Sequence, residues 1–349
     1  MTKPTFVKFP SIEQYRNVVK NVKDRARYGG KDENGNVIYK DDVVYPTIKF
    51  MITTKLHGQN ASVLLTDSGE FGVQSRNNML SPTKDAGGFF AWSNEPKRLK
   101  FFKDIITNLK NVLPELKTAK QINIFGEFAG EGIQKGVALS KLPKSFYAFA
   151  IAYIDENDER QWLPIETVAG IRSGELGIFN VLMFEHEIIE IDFNKPDEYV
   201  NMLIEKALAI EAECPVGKFF GIEKEVGEGI VLTSVDGNRY AFKVKGEKHS
   251  ASKVKTLSKV DEVAIANAKE FVAATVTTAR LEQGIDYLKE MNLPIDEKST
   301  GTFIKWVIDD VIKEESDIIL AKQLDFKKVK SQIGQIARQF YMRRINENL

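Results

Sequence analysis

Through the first 250 residues, apolar positions come mostly in short runs separated by glycine and turn residues, the pattern of strands. Residues 47–56 alternate loosely, with Ile48, Phe50 and Ile52 on one side. Residues 61–66 and 71–76 flank Asp67-Ser68-Gly69-Glu70 and predict a hairpin. Residues 121–125 and 146–154 predict two more strands, and 228–234 with 239–245 a second hairpin around Asp236-Gly237-Asn238. Two stretches, 97–113 and 198–212, instead space their apolar residues by three and four, as a helix does. Hairpin strands mixed with separate helices predict an α+β fold rather than a doubly wound sheet.

The pattern changes after residue 250. Strand signals stop, and residues 261–279, 281–291, 302–315 and 326–345 read as helices. The last of these places Val329, Ile333, Ile336 and Phe340 on one stripe. Residues 248–259 are polar and basic and read as the joint. The expected organisation is a large α+β domain over 1–250 and a small all-helical domain over 251–349.

Composition narrows the chemistry. The 349 residues carry 49 basic and 49 acidic side chains, so any polyanion site must be a local patch. A single cysteine, Cys214, excludes an intramolecular disulfide framework and a multi-cysteine zinc site, and reads as an inert thiol. The three histidines, His57, His186 and His249, are too few for a His-rich centre. A metal would then be a hard cation held by carboxylates and phosphates, which points to Mg2+. The N-terminus has no apolar stretch of secretory length, and no run approaches the ~18 apolar residues of a membrane span. A soluble, cytoplasmic protein is expected. No P-loop pattern occurs.

The candidate nucleophile is Lys55, at the end of a strand and followed by Leu56-His57-Gly58-Gln59-Asn60. A lysine amine attacks an electrophile only when unprotonated, so its pKa must fall. Partial burial and neighbouring cations both do this. Lys243 and Lys245 are the candidate cations; their spacing of two puts both on one strand face, opposite Tyr240, Phe242 and Val244. Taken alone, these residues fit a solvated surface better than a reactive site, because alternating lysines on strands are common.

In combination they resemble a known family. Lys55-Leu56-His57-Gly58 resembles the Lys-x-His/Asp-Gly motif of covalent nucleotidyltransferases, and its histidine resembles the phage-type RNA ligase 2 group of ATP-dependent RNA ligases. Ser75-Arg76, Phe125-Gly126-Glu127-Phe128-Ala129-Gly130, Phe146-Tyr147-Ala148-Phe149, Glu228-Gly229-Ile230-Val231-Leu232 and Lys243-Val244-Lys245 resemble the later motifs in order. The resemblance implies an adenylation domain of antiparallel sheets with helices. It also implies a three-step reaction: Lys55 takes AMP from ATP, AMP moves to a 5′-phosphate, and a 3′-hydroxyl displaces it. Each step is an in-line displacement at phosphorus, for which positioning and charge neutralisation are the main levers.

The resemblance also assigns roles. Lys243 and Lys245 would neutralise phosphate charge, Glu127 would bind the ribose and Glu228 would place a metal near Lys55; both glutamates could equally be salt-bridged to Lys243 or Lys245. Arg76 would contact the phosphate or the incoming strand, or be an exposed charge. Phe149 would stack on adenine, or belong to the core. His57 would contact phosphates, and Asn60 the nucleotide or the 5′-phosphate, or serve a turn. His186 and His249 carry no motif. In the helical region Arg280, Asp310 and Glu314 resemble residues needed for sealing; Asp310 and Glu314, one turn apart, also fit a solvated helix face. Lys327, Lys328, Lys330, Arg338, Arg343 and Arg344 make the last helix basic, suited to duplex backbone.

Thr54, Ala150 and Thr233 depart from the family pattern, which has glutamate, aspartate and lysine there. The expected activity is ATP-dependent sealing of RNA nicks or ends held in a duplex, by a monomer with no membrane contact. A DNA ligase or a capping guanylyltransferase would be expected to carry a strand-rich OB domain after the last motif. A non-catalytic nucleic-acid-binding platform remains a rival of another class.

Overall fold

The alternating segments deliver two sheets, and the helical periodicity after residue 265 delivers a separate helical unit. The computed structural model describes residues 3–85, 87–236, 240–246, 248 and 265–347. The chain divides into a first unit, Met1–Ile12 with Asn21–Gly246, and a second, Glu13–Lys20 with Glu247–Leu349. The division is discontinuous: a short N-terminal stretch belongs with the helices. No helix among the described residues is long and apolar enough to cross a membrane.

Helix α1 (Tyr15–Arg27) leads into a hairpin of strands β1 (Tyr28–Lys31) and β2 (Val37–Tyr39). Then come β3 (Thr47–Thr54), β4 (Gln59–Thr66), β5 (Phe71–Ser75), helices α2 (Phe89–Ser93) and α3 (Pro96–Val112), β6 (Gln121–Ala129), β7 (Ser145–Ile154), β8 (Arg160–Trp162), β9 (Ile178–Asn180) and β10 (Glu187–Asp192). Helices α4 (Val200–Ala212) and α5 (Pro215–Phe219) precede β11 (Gly229–Ser234) and β12 (Ala241–Lys245). One sheet runs β9-β7-β6-β4-β5 with β8 on β7; the other contains β12-β11-β3-β10. Within these strand orders the pairings among the described residues are antiparallel, except that β9 runs parallel to β7. The α+β expectation holds.

The sequence reading missed α1, α2, α5 and strands β1, β2, β8, β9 and β10. These are short pieces whose alternation does not rise above their surroundings. Strand β6 runs four residues beyond the expected end at 125, because Gly126 is accommodated within the strand. A side chain there would meet the Phe146 ring at 2.4 Å and the Tyr147 carbonyl at 2.7 Å. Gly237 and Asn238 of the second hairpin's turn lie outside the described residues.

One face of the first sheet packs on α2 and α3 through Phe89, Phe102, Ile106, Phe128 and Phe146, which form one buried cluster. The N-terminal segment covers other residues of this sheet. Gln121 binds both the N–H (2.8 Å) and the carbonyl (2.9 Å) of Thr5, and Gln74 does the same for Val7 at 3.1 and 2.7 Å. Val7 and Phe9 are thereby seated on Phe125, Ala150 and Ala152.

The second unit contains α6 (Ala268–Thr275), α7 (Thr278–Glu290), α8 (Thr300–Ala321) and α9 (Phe326–Asn346) around Phe271, Leu281, Ile285, Phe303, Val307, Val329, Ile333 and Tyr341. Two expectations are corrected. Residues 261–279 do not form one helix over their described part: α6 ends at Thr275, and the Thr277 hydroxyl accepts from the Arg280 N–H at 3.3 Å to cap α7. Helix α8 runs past the expected end at 315, because its acidic stretch is neutralised. Glu315 pairs with Arg16 at 2.8 Å and Asp317 with Arg16 at 2.7 Å. On α9 the buried seam is Val329, Ile333, Ala337, Tyr341 and Ile345, while Ile336 and Phe340 sit at its edge. The basic residues 249–259 read as the joint, and His249, lie outside the described residues.

Candidate active site

The site forms where the chain leaves one sheet and enters the other. Strand β3 ends at Thr54 in the second sheet, and β4 opens the first sheet at Gln59. The crossover is tight. The Lys55 N–H donates to the Gly229 carbonyl at 2.8 Å, and the Gly58 N–H donates to Glu127 Oε1 at 2.9 Å. A Cβ on Gly58 would sit 2.4 Å from the Phe128 carbonyl oxygen, so the position admits only glycine without a backbone shift.

The crossover places Lys55 Nζ 2.6 Å from Glu228 Oε2, with 18% of the lysine side chain exposed. Glu228, buried just before β11, also receives Lys245 Nζ at 2.8 Å on its other oxygen and His57 Nδ1 at 3.1 Å. One carboxylate therefore ties together three of the sequence-predicted residues. Lys243 shares the β12 face with Lys245 by the strand alternation. Asn60 lies directly opposite Glu127 in the β4–β6 register, so the two occupy one face of the first sheet.

Burial dominates the electrostatics. It pulls the Lys55 amine below the ordinary lysine pKa; Glu228 opposes this and Lys245 adds to it. Burial alone would raise Glu228, but the ammonium groups of Lys245 and Lys55, with the hydrogen bond to His57, hold it well below the usual carboxylate range. Glu127 goes the other way, up to about 7: burial outweighs the attraction of Lys55, and the Glu228 charge pushes further. The expected lowering of Lys55 by its cationic neighbours is thus the smaller part of the effect.

Phe149 lies at a β-bulge, where the β6–β7 register shifts between Phe125 and Gly126. The bulge re-aims its ring toward Phe9, 5.1 Å away edge-on. The ring is only partly buried. Sequence reasoning missed Phe9, Phe125 and Trp162 as a packed aromatic group beside it, with centroids 5.2 to 5.5 Å apart. The alternation of Val7 and Phe9 was the available signal. Arg76 follows β5, and its guanidinium reaches the Ser11 hydroxyl at 3.4 Å. The three departures are all buried: Ala150 under Phe9, Thr233 within β11, and Thr54, whose hydroxyl has no hydrogen-bond partner among the described residues.

In the second unit, Arg280, Asp310 and Glu314 come together. Arg280 is fully buried, with Nη2 2.7 Å from Glu314 and Nε 3.2 Å from Asp310; those acids remain 17% and 22% exposed. Glu315, also fully buried, lies 3.7 Å from Arg280 and links it to Arg16.

Among the described residues no cluster of three or more His, Cys, Asp or Glu is placed to hold a metal. Glu228 is the ionised carboxylate nearest the lysine, and both its oxygens are engaged by cations. That donor set suits a hard cation shared with substrate phosphates rather than a resident metal.

A part-buried lysine and a buried carboxylate, held at the junction of two mainly antiparallel sheets in an α+β unit, define the class of protein. The family model described as RNA ligase matches residues 48–245, more than half of the chain. The chain belongs to the RNA ligase family. Among solved structures it is similar to a Naegleria gruberi RNA ligase mutant with AMP and Mn (20% identity, TM-score 0.42) and to the Naegleria gruberi RNA ligase with PPi (20% identity, TM-score 0.42). A further mutant of that ligase with ATP and Mn matches at 19% identity and TM-score 0.42. In each case 70% of this chain is covered, and the chain spans 58% of the length of the matched structure.

Proposed function

We propose that the protein is an ATP-dependent RNA ligase that carries AMP on Lys55 and seals 3′-hydroxyl to 5′-phosphate ends of RNA held in a duplex, acting as a monomer. The observation that carries this reading is the buried Lys55 amine, 2.6 Å from Glu228 and flanked by Lys245, inside the segment matched by the family. Burial shifts the Lys55 amine toward its unprotonated form.

Unprotonated Lys55 attacks the α-phosphorus of ATP; a nitrogen–phosphorus bond forms, the bond to the β-phosphate oxygen breaks, and pyrophosphate leaves. Lys245 and Lys243 neutralise the phosphate charge that develops, and His57 contacts the phosphates. Glu127 accepts from the ribose hydroxyls, Asn60 on the same face contacts the nucleotide, and Phe149 stacks on adenine, its ring positioned by Phe9. Glu228 is the residue that would hold a Mg2+ ion, which would supply further charge neutralisation when bound. Arg76 meets the incoming strand. In the second unit Asp310 and Glu314 engage the RNA ends, with Arg280 as the positioning residue beneath them.

The described residues after 265 form helices, which favours this reading over a DNA ligase or capping enzyme with a strand-rich last domain. The test is intact mass after exposure to ATP and Mg2+. Wild-type protein should gain one adenylate and Lys55→Ala none; folded, nucleotide-free wild-type protein that never gains mass ends the proposal. Sealing of matched RNA and DNA nicks then separates the two ligase classes. Equal or better sealing of an all-DNA nick argues against RNA.

A further inference from the structure

The β1–β2 hairpin lies outside the segment shared with the RNA ligase family, which begins at residue 48. Its two strands pair only with each other among the described residues. Every residue from 31 to 40 is exposed. An isolated two-stranded hairpin is marginal in water, yet this one is braced. Asp32 accepts from the backbone N–H groups of Asn34 and Asn36 at 2.9 and 2.8 Å and from the Asn36 side chain at 3.0 Å. At the base the Lys40 N–H donates to the Arg27 carbonyl at 2.7 Å.

The braced hairpin displays aromatic and aliphatic surface to solvent. Tyr28 and Tyr39 face each other in register and are 50% and 49% exposed, with Val37 at 44% on the same face and Ile38 at 47% on the other. Contiguous exposed apolar surface of this kind marks an interaction site. Cations attend the rings: the Arg27 guanidinium lies 5.5 Å from the Tyr39 ring centre, and Lys23 Nζ lies 5.0 Å from that of Tyr45. The Asn194 side chain fixes Tyr45 through both its N–H and its carbonyl, at 2.9 Å each. Arg25, Lys31 and Lys40 add exposed positive charge. Of the nearby acids, Asp32 is occupied by its own turn, Asp41 lies 4.0 Å from Arg27, and Asp24, Glu33 and Asp42 complete the set.

We propose that this hairpin is a stacking surface for an unpaired stretch of the RNA substrate. Exposed rings bearing cations suit bases and phosphates together, because stacking tolerates any base and the cations meet the backbone. An apolar protein partner would leave these cations buried and unpaired. Geometry excludes a role in holding ATP. Strand β3 starts two residues after Tyr45 and runs through residues 47–54 before delivering Lys55. Its length, roughly 27 Å, separates Tyr45, just before its start, from Lys55, just after its end. A polynucleotide spans that distance and a mononucleotide does not.

This inference rests on the ligase reading, and its test separates the two. Full-length wild type and the Tyr28→Ala/Tyr39→Ala double variant are titrated into a fluorescein-labelled oligoribonucleotide bearing a single-stranded tail, and binding is read by anisotropy. The double variant should bind on the order of tenfold more weakly. It should still gain adenylate mass at the wild-type rate, and Tyr28→Phe/Tyr39→Phe should restore RNA affinity. Unchanged RNA affinity in the alanine variant overturns the inference while leaving the ligase reading intact. So does loss of self-association in sedimentation at unchanged RNA affinity, which would identify a protein interface instead. Wild-type protein that takes up no adenylate refutes the ligase reading separately.

Discussion

Replacing Glu127 by glutamine tests the electrostatics of the site without disturbing its shape. The amide oxygen can still accept from the Gly58 N–H, so the crossover stays closed. What is lost is a titration. In the folded protein Glu127 holds its proton up to about 7, against 4.5 in its ordinary state. A raised folded-state pKa means that the native protein binds more protons than the unfolded chain between those values, so stability falls as pH rises through this window. The gap corresponds to roughly 3 kcal/mol at about 1.4 kcal/mol per pH unit. Glutamine does not titrate, so Glu127→Gln should lack this fall.

The assay is urea unfolding of both proteins from pH 5 to pH 8, followed by Trp92 and Trp162 fluorescence in a Trp306→Phe background so that only the first unit reports. Relative to the variant, the wild type should lose roughly 2–3 kcal/mol across the range, most of it below pH 7. Two parallel stability curves, or a wild type that gains on the variant with rising pH, would refute the burial argument for Glu127 and with it the picture of a desolvated site. Adenylylation gives a second readout. An ionised Glu127 accepts ribose hydroxyls better than a neutral one, so the apparent ATP affinity of the wild type should improve as pH passes 7 and that of the variant should not.

Two further substitutions probe the scaffold. Arg280→Ala strands Glu315, Glu314 and Asp310 around an empty site and should cost the helical unit about 3–5 kcal/mol, read from Trp306 fluorescence, while the adenylate mass gain on Lys55 persists; a loss below about 1 kcal/mol would contradict the view that Arg280 neutralises these acids. Gly229→Ala places a Cβ 2.2 Å from the Val244 carbonyl oxygen at a φ of +138°, so a melting-point drop matching roughly 1–3 kcal/mol or more is expected, with adenylylation slowed further than stability alone predicts because Glu228 is displaced from Lys55.

How much of this was legible in the sequence depends on the range of the interaction. The Asp67-Ser68-Gly69 turn was readable because Gly69 takes its φ of +82° locally, and strands β4 and β5 follow from it. Lys55, Glu127 and Glu228 were found through motif order, since no local pattern shows that one carboxylate will bridge Lys55, Lys245 and His57 across 173 residues of sequence. The end of α8 was misread for a related reason. Glu314-Glu315-Ser316-Asp317 looks like a solvated helix end until Arg16, some 300 positions away, supplies the countercharge. Residues 13–20 are therefore part of the helical unit's electrostatics although they precede the whole segment matched by the RNA ligase family. The unreadable charges share one cause. Each is a charge whose burial is tolerated only because a distant residue supplies the countercharge, as Arg16 does for Glu315 at 2.8 Å. Chemistry that needs a buried lysine has to be assembled this way, because burial lowers the amine's pKa only where remote strands exclude water from it.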